Sequence, residues 1–228
     1  MPPITPSSLS DLKRPQAWGA ELSLPISLPI IIMSSIIASA GEAAHSFVAS
    51  LLAHAQINPG DTIPKTEIKE DAPDQTVPLV LTGKNVLIGV PGAFTTPCNG
   101  HIPPFIESYE EFKAKGVNAI YIFGVNDTFV TKAWKEKLAP NGTREKRLII
   151  LFDSYLIVKP TAIHFIADDK ASFVSSVGLA FDASGLLGGI RSKRFAIVTE
   201  GDKVVSVAVE EAPPNVTVTS AQSVLASL

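Results

Sequence analysis

Two continuous apolar runs of strand length constrain this chain more than any other feature: NVLIGV (85–90) and NAIYIFGV (118–125). Between them, Pro103 and Pro104 are tolerated in a first helical turn, Phe105, Ile106, Tyr109 and Phe112 follow at helical spacing, and Gly116 closes the pattern. A helix with its N-terminus near Cys98 is therefore expected to link the two strands. Val130, Ala133, Trp134 and Leu138 predict a second amphipathic helix that ends before Pro140. Parallel strands cannot be joined by tight turns, so this β-α-β-α order implies a parallel pair with helical crossovers.

Further along, 171–179 carries another helical pattern. KRFAIVT (193–199) and KVVSVAVE (203–210) flank Glu200-Gly201-Asp202 as a hairpin, and SAQSVLASL (220–228) opens a last helix on a capping serine. The order β-α-β-α-β-α-β-β-α matches an α/β, thioredoxin-like sandwich, one mixed central sheet flanked by helices. With 46% hydrophobic residues the chain can bury a full core. Residues 143–163 (TREKRLIILFDSYLIVKPTAI) disturb this order, because RLIILFD or IHFIADD could each supply the one central strand still needed. The unused run would be an exposed apolar liability, and the segment reads as an insertion.

The domain is expected over 56–228, after a surface connection rich in proline, aspartate and lysine (56–78). Residues 1–55 form an extension, either a leader or a docking helix over 33–54. Residues 22–40 carry no charge and end in Ala38-Ser39-Ala40 like a secretory signal, but Pro25, Pro29 and the flanking Asp11 and Glu21 fit neither a presequence nor a spanning helix. Met33 is an alternative start. A mitochondrial leader would want the arginine that 33–54 lacks.

The single cysteine excludes an intrachain disulfide framework and a multi-thiolate metal site. It is reached through VPGAFTTPC (90–98), where two prolines, a glycine and two threonines form a rigid approach that a packing cysteine would not need. Only the thiolate is a good nucleophile, and a free thiol with a pKa of about 8.5 offers little of it at neutral pH. A cysteine in the first turn of a helix faces unpaired N–H groups that favour the anion, and Thr95 offers a hydroxyl three residues away. The bland readings are an inert buried thiol for Cys98, a helix-capping hydroxyl for Thr95, and a surface strand residue for Arg194, whose neighbours Arg191 and Lys193 compete for the inward position.

PGAFTTPC, followed by HIPPFIESYEEFKAKGVNAIYIFGVND and later LAFDASGLLGGIRSKRFAIV, resembles the peroxiredoxins, in particular the atypical type-5 or type-II branch with its fungal alkyl hydroperoxide reductases and allergens. The resemblance implies that Cys98 is the peroxidatic nucleophile, that Thr95 and Arg194 stabilise the transition state with the Cys98 N–H, and that Pro91 shields the thiolate. It implies reduction of hydrogen peroxide and alkyl hydroperoxides, without cofactor or metal. Lacking a resolving cysteine, the chain should follow a one-cysteine cycle that depends on an external thiol, whether glutathione, glutaredoxin or thioredoxin. A homodimer is also implied. The competing reading is a redox sensor that changes partners when Cys98 oxidises.

His101 forms C-x-x-H with Cys98, but zinc would need further ligands and His45, His54 and His164 show no usable spacing, so His101 reads as a polar residue of the first turn. A net charge of −3 gives no footprint for nucleic acid, and no membrane partner is expected. A reducing compartment makes the sequons at Asn126, Asn141 and Asn215 chance occurrences. The cytoplasm is the expected location, with the mitochondrion or the peroxisome as alternatives, and Ala226-Ser227-Leu228 only loosely echoes the peroxisomal tripeptide.

Overall fold

The structure, a computed structural model, describes residues 54–139 and 162–228. Every described residue belongs to one compact unit, which spans 43–228. The leader, docking-helix and start-site expectations for 1–53, and the run RLIILFD within 143–161, lie outside the described residues.

Two short strands, β1 (Glu67–Ile68) and β2 (Val77–Pro78), pair antiparallel ahead of the main sheet. This corrects the expectation of a mere surface connection over 56–78, because Ile57, Ile63 and Ile68 are buried there against the domain. The polar composition around them hid three well-spaced isoleucines.

The first apolar run is β3 (Lys84–Val90) and the second is β4 (Val117–Gly124), parallel as expected. Between them the structure has three short helices instead of one: α1 (Thr96–His101), α2 (Pro103–Glu107) and α3 (Tyr109–Ala114). Pro103 and Pro104 bring no N–H to continue the ladder of α1, so the chain restarts after Ile102, and Ser108, with φ −89° and ψ 14°, separates α2 from α3. Then comes α4 (Thr128–Leu138), opened by Asp127, whose carboxylate accepts from the Val130 N–H at 2.9 Å. Its buried residues are Thr128, Thr131 and Trp134, while Ala133, expected inside, is exposed.

IHFIA forms the third described parallel strand, β5 (Ile163–Ala167), next to β4. It leads into α5 (Ser172–Ser176), where Asp168 accepts from the N–H groups of Phe173 and Val174 at 3.1 and 2.9 Å. The sequence reading did not anticipate the small antiparallel pair β6 (Ala180–Asp182) and β7 (Ile190–Ser192), with α6 (Ser184–Leu187) between its strands. The expected hairpin is β8 (Phe195–Glu200) and β9 (Lys203–Val209), with Gly201 at φ +57° in its turn. Helix α7 (Ala221–Ser227) follows, its N-cap Ser220 accepting from the Ser223 N–H.

The sheet order is β5-β4-β3-β8-β9, with β3 at the centre. Alternation along β3 sends Val86, Ile88 and Val90 to one core with Phe105, Phe112, Trp134 and Val224, and Leu87 to the other with Phe123, Phe173 and Phe195. Helices therefore cover both faces, which is the thioredoxin-like fold expected. Gly89 is needed where β3 pairs with Phe195 of β8, because a Cβ there would collide with the phenyl ring. The C-terminal end of β3 delivers Pro91 and the cysteine loop, and the start of β8 delivers Arg194.

Candidate active site

Cys98 sits in the first turn of α1, after N-cap Thr95 and Pro97. It is fully buried, in the same apolar cluster as Val90, Ile102, Phe105 and Trp134. Pro91, buried at the end of β3, begins the approach. Phe94 adopts φ +65°, a strained value for a phenylalanine, and its carbonyl accepts from Asn99 Nδ2 at 3.1 Å. Asn99 Oδ1 accepts in turn from Trp134 Nε1 at 2.7 Å, and Asn126 Oδ1 accepts from the Ala93 N–H at 3.0 Å. The loop is thus held from both sides by neutral hydrogen bonds.

Thr95 does not cap α1 through its side chain; its hydroxyl donates to Gly92 O at 3.0 Å. That proton is committed, so the oxygen is left to act as an acceptor. This corrects the reading of Thr95 as a helix-capping hydroxyl.

The structure separates the three cations: Arg191 lies in β7, while Lys193 and Arg194 lie in the connection between β7 and β8. Arg194 is buried and its Nη2 lies 3.5 Å from Cys98 Sγ. Arg191 instead donates to Val125 O and Leu187 O, both at 2.8 Å, tying β7 to the end of β4. Lys193 is half-buried. The guanidinium of Arg194 is held by Pro213 O, which accepts from Nε at 3.0 Å and Nη2 at 2.8 Å, and by His101 Nδ1, 3.0 Å from Nη1.

His101 is more than a polar residue of the first turn. It is buried, stands edge-on to Phe105, and its Nε2 lies 2.8 Å from Thr219 O. A carbonyl can only accept, so Nε2 carries the proton and Nδ1 offers its lone pair to Arg194. Burial, with the Arg194 charge adding, pushes the imidazole down to about 4 against the opposing pull of Thr219 O. Glu210 completes the surroundings. Its burial opposes ionisation, yet hydrogen bonds from the N–H and hydroxyl groups of Thr217 and Thr219 hold it down at about 2. Sequence reasoning took His101 for no more than a polar residue of the first turn and did not single out Glu210. The signal for His101 was its spacing, since three positions on a helix return to the same side as Cys98. Glu210 directly follows β9, three residues before Pro213-Pro214, a pattern that carries no chemical signal.

Among the described residues no group of three His, Cys, Asp or Glu is arranged to hold a metal ion, and no helix is long and apolar enough to cross a membrane. An unpaired cysteine beneath a buried arginine, on this sheet, defines a thiol-based redox protein. A family profile described as redoxin matches residues 58–225. Peroxisomal membrane associated protein 20 of Schizosaccharomyces pombe is 41% identical over 169 residues, covering 74% of this chain and 97% of that protein. Peroxiredoxin-2C of Oryza sativa is 36% identical over 176 residues, covering 74% and 96%. Among solved structures, reduced Prx3 from Vibrio vulnificus in complex with H2O2 is 32% identical with a TM-score of 0.61, covering 75% of this chain and 99% of that one. The chain belongs to the peroxiredoxin family, and is a thiol peroxidase with a single cysteine.

Proposed function

We propose that Cys98 is the peroxidatic nucleophile and that Arg194, Thr95 and Pro91 build its peroxide site. The observation that carries this reading is the 3.5 Å approach of Arg194 Nη2 to Cys98 Sγ in a fully buried setting. The Cys98 thiolate attacks one oxygen of the hydroperoxide in line with the O–O bond. An S–O bond forms, the O–O bond breaks with its electron pair, and the leaving oxygen takes a proton to depart as water or an alcohol. Negative charge spreads over sulfur and both oxygens as the bond stretches, and the Arg194 guanidinium faces that charge from a fixed position. The Thr95 oxygen accepts the O–H of the bound peroxide, and Pro91 shields the sulfur from water.

The sulfenic acid is then attacked by an external thiol, releasing water and leaving a mixed disulfide, which a second thiol cleaves to restore Cys98. Glutathione, glutaredoxin and thioredoxin each fit this step, and the substrates are hydrogen peroxide and small alkyl hydroperoxides. The family resemblance supports a homodimer, which sedimentation would measure. The name of the S. pombe relative favours the peroxisome over the cytoplasm and the mitochondrion, a choice that imaging of the tagged full chain decides.

The test is intact mass after one equivalent of peroxide. Cys98 should gain one oxygen, and with glutathione a mixed disulfide and then the free thiol. Arg194→Ala should slow peroxide consumption in stopped flow by at least about 100-fold. Oxidation without sustained, thiol-driven peroxide loss would favour a redox sensor instead.

A further inference from the structure

The acceptors that hold the Arg194 guanidinium trace back to one loop. Pro213 O takes its Nε and Nη2, while His101 takes Nη1 and is itself fixed by Thr219 O. Pro213 and Thr219 belong to the connection 210–220 between β9 and α7, which contains no helix or strand. A cavity of about 370 Å³, lined by Phe181, Lys193, Arg194, Glu210 and Pro213 among others, lies beside it.

Glu210 ties this loop. Its Oε1 accepts from Thr217 N, Thr219 N and Thr219 Oγ1 at 2.6, 3.0 and 2.8 Å, and its Oε2 accepts from Thr217 Oγ1 at 2.7 Å. Its own N–H donates to Arg194 O at 3.0 Å, so the knot is anchored at the residue it serves. The carboxylate is directed at the loop and not at the guanidinium. Resting on the reading of Cys98 and Arg194 given above, we propose that Glu210 is a positioning residue of the peroxidase reaction. By tying the 210–220 loop it fixes Pro213 O and Thr219 O, and these two carbonyls aim Arg194 at the sulfur. Transition-state contacts depend on geometry held to a fraction of an ångström, so a small loop displacement would take the guanidinium off the reacting atoms.

The experiment is a double-mutant cycle on the second-order rate with hydrogen peroxide, with thermal melts of every variant. Glu210→Ala should lower the rate about 10- to 100-fold, a positioning loss. Glu210→Gln should stay within about 3-fold, because its amide oxygen still accepts from Thr217 and Thr219. In the Arg194→Ala background, followed at high peroxide over long times, Glu210→Ala should cost less than about 2-fold more. A merely structural role would give the same fold loss with and without Arg194, and that result, or an unchanged rate in Glu210→Ala, overturns the proposal. Should Glu210→Ala fail to fold, Thr217→Val, at an exposed position, is judged by the same cycle, with a loss of about 3- to 10-fold expected only when Arg194 is present. An unchanged rate in Arg194→Ala alone would instead sink the reading of the site itself.

Discussion

Sulfur and guanidinium meet at 3.5 Å, yet the two sides of that contact are built on different physics. Around the sulfur, the packing is apolar and the supporting side chains are uncharged. Cys98 lies among Val90, Ile102, Phe105 and Trp134, prolines stiffen its approach, and its loop is held by amide and indole hydrogen bonds from Asn99, Asn126 and Trp134. The arginine side is polar and titratable. It depends on a neutral imidazole at His101 and an ionised carboxylate at Glu210, each displaced from its ordinary range. The packing and hydrogen bonds around the sulfur should therefore hold alike at pH 7 and pH 5, and the supports of the guanidinium should loosen as acid is added.

The largest test of this contrast is Trp134→Ala. Removing a fully buried indole from the sulfur-side core should cost about 3–5 kcal/mol of stability. The loss, read from denaturant unfolding, should be the same at pH 7 and pH 5; a strong pH dependence would break the comparison.

Next comes His101. Its folded pKa, about 4, lies below the ordinary 6.5, so the unfolded chain takes the proton first. The contribution is complete above pH 6.5 and is lost as the pH falls toward about 4, on the order of 3 kcal/mol at most. His101→Asn should remove that slope while lowering stability at pH 7, and a parallel slope in the variant would contradict it. Glu210 follows in a more acidic window with an effect no larger. Its contribution is complete above 4.5 and is lost as the pH falls toward about 2, so Glu210→Gln should flatten the stability curve only below pH 4.5.

The same contrast explains what could be read before the structure. The apolar half was visible because packing leaves periodic marks: β3, β4, α4 and the β8–β9 hairpin stand where alternation and helical spacing predicted them. Cys98 and Arg194 came from the motif and its family resemblance, since strand parity alone left Arg191 and Lys193 in contention. The polar half leaves no such mark. His101 is brought to Thr219, 118 positions away, by tertiary folding, and the Glu210 knot depends on backbone N–H groups that any residue carries. The three-way break of the helix after Cys98 was missed because Pro103 and Pro104 read equally well as the start of one helix. Ile57, Ile63 and Ile68 were missed because they stand among polar residues with no period.

The smallest effect belongs to Trp134→Phe, and it asks what the neutral hydrogen bonds on the sulfur side contribute beyond packing. Phenylalanine keeps most of the ring, including a face for the edge-on contact with Phe165, but removes the Nε1–H that donates to Asn99 Oδ1. Asn99 is half-buried, so water can replace the lost donor and the cost should be about 1 kcal/mol. Asn99 also supports the left-handed Phe94 carbonyl through its Nδ2, so a freed Asn99 should loosen the turn one step before Thr95. The expected result is a small stability loss, alike at pH 5 and pH 7, with a peroxide rate within about 3-fold of the parent. A much larger loss of rate would mean that the sulfur side, like the arginine side, depends on a directed polar contact, and the division between the two halves would then fail.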